Sequence, residues 1–360
     1  MLKKHIVFFL LLFSSSSVLF ASASVPTKTI GEDPNLPTVA IMMTGGTIAE
    51  RTDPKTQASV PSGDGEELLN IPGLKKMVDF KVAEFSNIDS SQMTPEMWLR
   101  LSGLVDDILK DPKVKGAIIT HGTDTMAEGA FFLDLTVESK KPVVFVGAMR
   151  NASDPYTDGP FNLINGVVQV LSDKAQDWGV TVTMNQYINS PRLVEKTQTT
   201  NVQTFESGEK GYLGYIFNLE VFRLNDRLYK MTLPRPKTLP RVDLILDYAG
   251  SDGGLIRHAV GKGAKGIVIE SFGAGNVNLN VFEAVKYPID KNVAVVITTR
   301  VPNGAVFPVY GDKGGGKSLA DAGAIISGNL SSSKSRIFLM LALPLVKENH
   351  VALNKYFDNP

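Results

Sequence analysis

The chain has no cysteine among its 360 residues, and only four histidines and two tryptophans. The missing cysteines exclude disulfides, thiol catalysis, thiolate metal sites and a lipidated amino-terminal Cys together. Beyond the first stretch the histidines are His121, His258 and His350, scattered without metal-ligand spacing, and no zinc or phosphate-binding motif occurs. No metal and no cofactor is therefore expected. An excess of one charge is also missing: 37 Lys and Arg face 37 Asp and Glu, so electrostatics favours neither nucleic acid nor an anionic membrane as partner.

Long apolar runs are scarce too. The opening "MLKKHIVFFLLLFSSSSVLFASAS" has Lys3 and Lys4, an apolar stretch from Ile6 to Phe13, four serines that interrupt the apolar run after it, and the small-residue pattern Ala21-Ser22-Ala23. This reads as an export signal over 1–23, cleaved after Ala23, and no other stretch approaches a bilayer-spanning length. The mature protein is expected to be soluble, off the membrane, and most simply periplasmic.

What remains is 43% apolar, enough for two domains with proper cores. Strand-like runs "TVAIMMT" (38–44), "GAIIT" (116–120), "PVVFVGAM" (142–149) and "GVTVTMN" (179–185) alternate with helical segments. That alternation predicts an α/β fold with a mostly parallel sheet. Between the second and third strands, Met126, Ala127, Ala130, Phe131 and Leu133 suit the inner face of a helix. A proline-bearing stretch at 223–240 reads as a linker. It separates a larger domain, 36–222, from a smaller α/β domain, 241–360, carrying "RVDLILDYA", "GIVIESF", "VAVVITT" and a last helix "SSKSRIFLMLALPLVKE". The polar segment 50–67 follows directly on the first strand's turn and has the length of a lid.

Two motifs stand where chemistry is expected. In "AIMMTGGTIAE" a strand runs into Gly45, Gly46 and Thr47, which suits a tight turn or a loop presenting a hydroxyl; a dinucleotide site would need a third glycine opening a helix, and none follows. In "ITHGTDTMAE" a strand ends at Thr120, and Gly122 precedes Thr123 and Asp124 at the start of a helix, where simple capping by Thr123 is the alternative. In a doubly wound sheet both loops can face one cleft beyond the strands' carboxyl ends. Ser90 and Ser91 in "NIDSSQMTPEMW", with a helix start at Thr94-Pro95-Glu96, and Lys196 in "RLVEKTQTTNVQTF" are further candidates. His121 reads as a structural neighbour of the Gly122 turn rather than a general base.

Together "TGGTIA", "ITHGTDTM", "PVVFVGAMR", "DGPFNL", "KTQTTNVQTF" and "GAGNVN" resemble, in order and over nearly the whole mature chain, the bacterial L-asparaginase and glutaminase-asparaginase family, with the export signal of its periplasmic type. The resemblance implies hydrolysis of a free amino acid's side-chain amide, from L-asparagine and also L-glutamine, through an acyl-enzyme on Thr47. It places Thr123, Asp124 and Lys196 in the catalytic set. It assigns substrate binding to Gly46, Ser90, Ser91, Gly122, Thr123 and Asp124, with Ser90 on the substrate's carboxylate and Asp124 on its ammonium group. It also implies a homotetramer with sites between subunits, a two-fold arrangement common among oligomers. An amide has a poor leaving group, so such a site needs an activated hydroxyl, a proton donor to nitrogen, and donors aimed at the oxyanion. A relay of Lys196 with Thr123 can activate a hydroxyl or water without histidine.

The chain also departs from that pattern. The family's mobile lid carries a tyrosine that hydrogen-bonds the nucleophile, but no tyrosine lies between Glu50 and Leu69, and Val60 or Pro61 stands in its place. Tyr310, in a Gly-rich loop of the smaller domain, is expected to replace it across a subunit interface; a structural tyrosine at a turn is the other reading. Gly250 and Ser251 occupy the place of the family's substrate-binding asparagine, and "DSSQMTPE" is closer to the intracellular type. A periplasmic amino-acid-binding protein that has lost turnover is the alternative function.

Overall fold

The computed structural model describes residues 25–31, 33–61, 65–347 and 350–357; the predicted signal, 1–23, lies outside the described residues. Strands of the first domain, in chain order, are β1 (Thr27–Ile30), β2 (Thr38–Met43), β3 (Glu50–Thr52), β4 (Ser59–Pro61), β5 (Asp79–Glu84), β6 (Val114–Thr120), β7 (Val143–Val146), β8 (Val180–Met184), β9 (Tyr187–Asn189), β10 (Glu195–Lys196), β11 (Phe205–Glu206), β12 (Gly214–Phe217) and β13 (Glu220–Arg223). Nine of them form one sheet in the order β1-β5-β2-β6-β7-β8-β9-β12-β13. The run β5-β2-β6-β7-β8 is parallel, and β1, β9, β12 and β13 add antiparallel margins. The central strands β2 and β6–β8 are almost wholly buried, as a sheet covered on both faces requires.

Helix α1 (Pro95–Leu109) starts where a cap and a proline dictate: Thr94 Oγ1 accepts from Met97 N at 3.3 Å, and Pro95 has no N–H to leave unpaired. Helix α2 (Met126–Thr136) differs from the amphipathic reading. All but one of its residues are buried, because α1, β8 and a C-terminal helix enclose it on every side. Helix α3 (Gly159–Leu171) covers the opposite face of the sheet against β6 and β7.

The second domain holds a parallel sheet β14 (Val242–Leu246), β15 (Gly266–Ser271), β16 (Ala294–Thr299) and β17 (Ile325–Ile326), with helices α4 (Gly254–Gly261), α5 (Leu279–Asp290), α6 (Gly316–Asp321), α7 (Ser332–Val346) and α8 (Asn354–Phe357). Helix α7 packs on β14–β16 and on α2 at once, so one apolar core containing Phe131, Phe132, Val268, Phe338 and Leu341 runs through both domains. The expected linker is correspondingly not loose. Beyond Arg223, which ends β13, it has no regular structure, yet Leu233 is buried, Arg227 pairs with buried Asp134 at 2.8 Å, and Arg235 pairs with Asp106. Among the described residues no helix is long and apolar enough to cross a membrane.

Candidate active site

The two threonine motifs follow neighbouring strands, and hydrogen bonds fix where they leave the sheet. Thr44 N and Thr44 Oγ1 both donate to Thr120 O, at 3.1 and 2.8 Å. The loop after β5 joins them, with Ile88 N and Ser86 Oγ donating to Thr44 O at 3.2 and 2.9 Å. In the order β5-β2-β6 the chain moves out from β2 to opposite sides, so these three strand ends flank the topological switch point.

Glycine lets the loops meet backbone to backbone. Gly46 has φ 78° and ψ 178°, and a Cβ there would lie 2.2 Å from Gly122 Cα. A Cβ on Gly122 would in turn lie 2.7 Å from Ser90 Oγ. The TGGT turn is therefore packed against the HGTD loop, which is packed against Ser90. Thr47, partly exposed, opens a single 3₁₀ turn to Ala49, closed by Ala49 N donating to Gly46 O at 2.8 Å.

Thr123 is buried and is not a cap, since α2 begins at Met126 with Thr125 ahead of it. Instead Lys196 Nζ donates to Thr123 Oγ1 at 3.0 Å and to Asp124 Oδ1 at 2.8 Å. A hydroxyl that accepts from an ammonium keeps its own hydrogen for another acceptor. Ser90 Oγ accepts from Asp124 N at 3.1 Å and from Thr125 N at 3.4 Å, so it sets the backbone from which Asp124 projects. The Asp124 carboxylate is 63% exposed, open to a cationic group from outside. Ser91, the residue after Ser90, is exposed.

Lys196 is held from behind. Its residue pairs with buried Phe205 across β10 and β11, while fully buried Lys334 of α7 donates to Val194 O and pairs with Glu195 at 2.9 Å. Burial pulls the Lys334 ammonium below its ordinary proton affinity, opposed by Glu195. The second domain thus grips the strand that carries Lys196. His121, fully buried, spans Nδ1 to Gly122 O at 2.7 Å, and burial lowers its pKa to about 4. It is neutral at physiological pH and braces the Gly122 turn.

One group went unnoticed in the sequence. The segment 50–67 forms in part an antiparallel ribbon of β3 and β4, in which Glu50 is buried. Ser59 Oγ donates to Glu50 Oε2 at 2.6 Å, and Glu50 N donates to Thr47 O at the end of the 3₁₀ turn. Burial, the largest influence, raises the Glu50 pKa, and Asp89 adds to the rise while the hydroxyls of Ser59 and Thr47 oppose it. Its position three residues after Thr47 in a tight turn was the available signal. Tyr310, by contrast, lies 52% exposed ahead of α6, and Gly250 and Ser251 lie between β14 and α4. Among the described residues no hydrogen bond joins the Tyr310 side chain to Thr47, Thr123, Asp124 or Lys196 within one chain.

Two family models match the chain: "Asparaginase, N-terminal" over 38–228 and "Glutaminase/Asparaginase C-terminal domain" over 241–357. The chain belongs to the asparaginase family. A relative named "L-asparaginase 2" from Escherichia coli is 38% identical over 322 residues, covering 87% of this chain and 90% of the relative. One named "Probable L-asparaginase periplasmic" from Haemophilus influenzae is 36% identical over 334 residues, covering 90% and 93%. A solved structure, the "Probable Cytoplasmic L-asparaginase from Campylobacter jejuni", superposes with a TM-score of 0.81 at 35% identity, covering 90% of this chain and all of that one. Asparaginase-family membership and the two-sheet α/β architecture therefore agree with the resemblance read in the motifs.

Proposed function

We infer that this family member hydrolyses the side-chain amide of L-asparagine to L-aspartate and ammonia through an acyl-enzyme on Thr47. The observation that carries the reading is the Gly46–Gly122 contact, which supports a single cleft bearing both hydroxyl loops, with Lys196 behind Thr123. In this reading Thr47 Oγ1 attacks the amide carbon, Thr123 and Lys196 form the second polar relay, and Asp124 meets the substrate's ammonium group. Ser90, Ser91 and the backbone of Gly46 and Gly122 form the wall that receives its carboxylate end. A small zwitterion suits such a site, because its own charges partner Asp124 where water is displaced.

Hydrolysis of L-glutamine as a second activity, a homotetrameric assembly and export to the periplasm belong to the same proposal. The periplasmic relative and the lysine-led apolar start of the sequence support export. Tyr310 is assigned in this reading to the Thr47 of a neighbouring copy; loss of turnover in Tyr310→Phe well beyond any loss of stability supports that role, and unchanged turnover rejects it. The test of the function is ammonia release from asparagine and glutamine by the purified protein, with Thr47→Ala and Thr123→Ala alongside. Release abolished by either substitution supports the reading. No release from either amide, with a rise in melting temperature on adding asparagine, would instead establish a binding protein.

A further inference from the structure

We propose that Lys334 is a positioning residue for Lys196: from the second domain it fixes the main chain next to the relay lysine and so sets where that ammonium lies. The inference rests on the reading of Lys196 as part of the catalytic set. A lysine has a flexible four-carbon stem, so its ammonium is only as well placed as the backbone that carries it. Lys196 Nζ must stay 3.0 Å from Thr123 Oγ1 and 2.8 Å from Asp124 Oδ1. Its own strand gives it little support. β10 is only Glu195 and Lys196, paired with β11 in a two-stranded sheet apart from the nine-stranded one. A ribbon of this size has marginal stability by itself. Beyond Lys196, Thr197 N donates to Thr204 O at 2.7 Å, a bond that closes the hairpin on itself.

Lys334 supplies the missing hold on the other side. Its Nζ donates to Val194 O, the carbonyl immediately ahead of β10, and pairs with Glu195 at 2.9 Å. Neighbouring side chains of a strand project to opposite faces, so Glu195 turns to Lys334 while Lys196 turns to Thr123 and Asp124. Packing alone does not explain a lysine at this place. The side chain is fully buried, which strips water from the ammonium, and it stands third in α7, where the helix end is itself electropositive and no acidic residue lies in the first turn. Its carboxylate partner is 43% exposed, and a half-solvated ion pair returns little stability. A cation set against both burial and the helix end breaks local rules of the kind that proteins break at functional sites. What the contact provides is geometry at Lys196.

The test is a double-mutant cycle on asparagine hydrolysis, with Lys334→Met made in wild type and in Lys196→Met. In wild type the substitution should lower kcat on the order of 100-fold, the effect of a misplacement of about 1 Å, while KM and the rise in melting temperature on adding L-aspartate change far less. Beside Lys196→Met it should cost nothing further, because a residue that acts through Lys196 has nothing left to position. Glu195→Gln, at a side chain open to water, takes the carboxylate from Lys334 and should lower kcat with the same dependence on Lys196, which keeps the proposal testable if Lys334→Met does not fold. An unchanged kcat in either variant, or a loss that repeats in full beside Lys196→Met, overturns the assignment. If wild type itself releases no ammonia, the function reading fails and this role with it; if wild type turns over and Lys334→Met equals it, only the positioning role falls.

Discussion

Replacing Gly46 with alanine adds one methyl group and tests the contact on which the site is built. The new Cβ would fall 2.2 Å from Gly122 Cα and 2.5 Å from Gly122 N, where carbon atoms in contact normally keep about 3.5 Å or more. The two loops must therefore separate by roughly 1 Å, or the turn must abandon φ 78° and ψ 178°, a region held almost solely by glycine that costs alanine about 1–3 kcal/mol. Neither atom opposite is a flexible side chain; both are backbone of the loop that carries Thr123. A shift of about 1 Å between catalytic groups lowers turnover on the order of 100-fold. The expected outcome is thus a lower urea midpoint at unchanged m-value, equivalent to about 1–3 kcal/mol of unfolding free energy, and a disproportionate fall in ammonia release. A Gly46→Ala protein with wild-type midpoint and wild-type kcat would refute the claim that the two loops meet backbone to backbone at the working site.

Three further outcomes follow from other contacts. Lys196→Met keeps the stem's bulk but removes the donor to Thr123 and Asp124; kcat should drop at least about 100-fold, and steady-state kinetics showing an unaltered kcat would remove Lys196 from the relay. His121 has a folded-state pKa of about 4, below its ordinary 6.5, so as pH falls between these values the unfolded chain takes up a proton that the folded one refuses. Stability present above 6.5 is lost over that window by about 3 kcal/mol, and denaturant titrations of His121→Gln should lack this part of the acid dependence. Arg235→Met leaves the nearly buried Asp106 carboxylate without its cation, although the N–H groups of Glu138 and Ser139 still donate to it; a loss of about 3 kcal/mol in chemical denaturation is expected, and a neutral result would show that the linker at 223–240 is not pinned there.

Much of this molecule is readable from its residues in order. β2, β6, β7 and β8 follow from runs that only a sheet buried on both faces tolerates, and α1 from Thr94 and Pro95, because these signals are local. The motifs around Thr47 and Thr123 were legible as hydroxyl-bearing loops after strands, whereas Lys196, in a segment that read as irregular, lies on the short strand β10. The approach of the two loops to one another was not legible, since it depends on the order β5-β2-β6 and on two glycines that are 76 positions apart in the chain yet touch. α2 read as amphipathic because its sequence does not reveal that α7, from the other domain, closes its outer side. Glu50 is the clearest case. In the sequence it is one acid in a polar segment, and nothing local tells a solvated carboxylate from a buried one. Its burial beneath the ribbon, the hydroxyl of Ser59 and the charge of Asp89 come from segments 9 and 39 positions away, and only folding brings them close enough to alter its affinity for a proton.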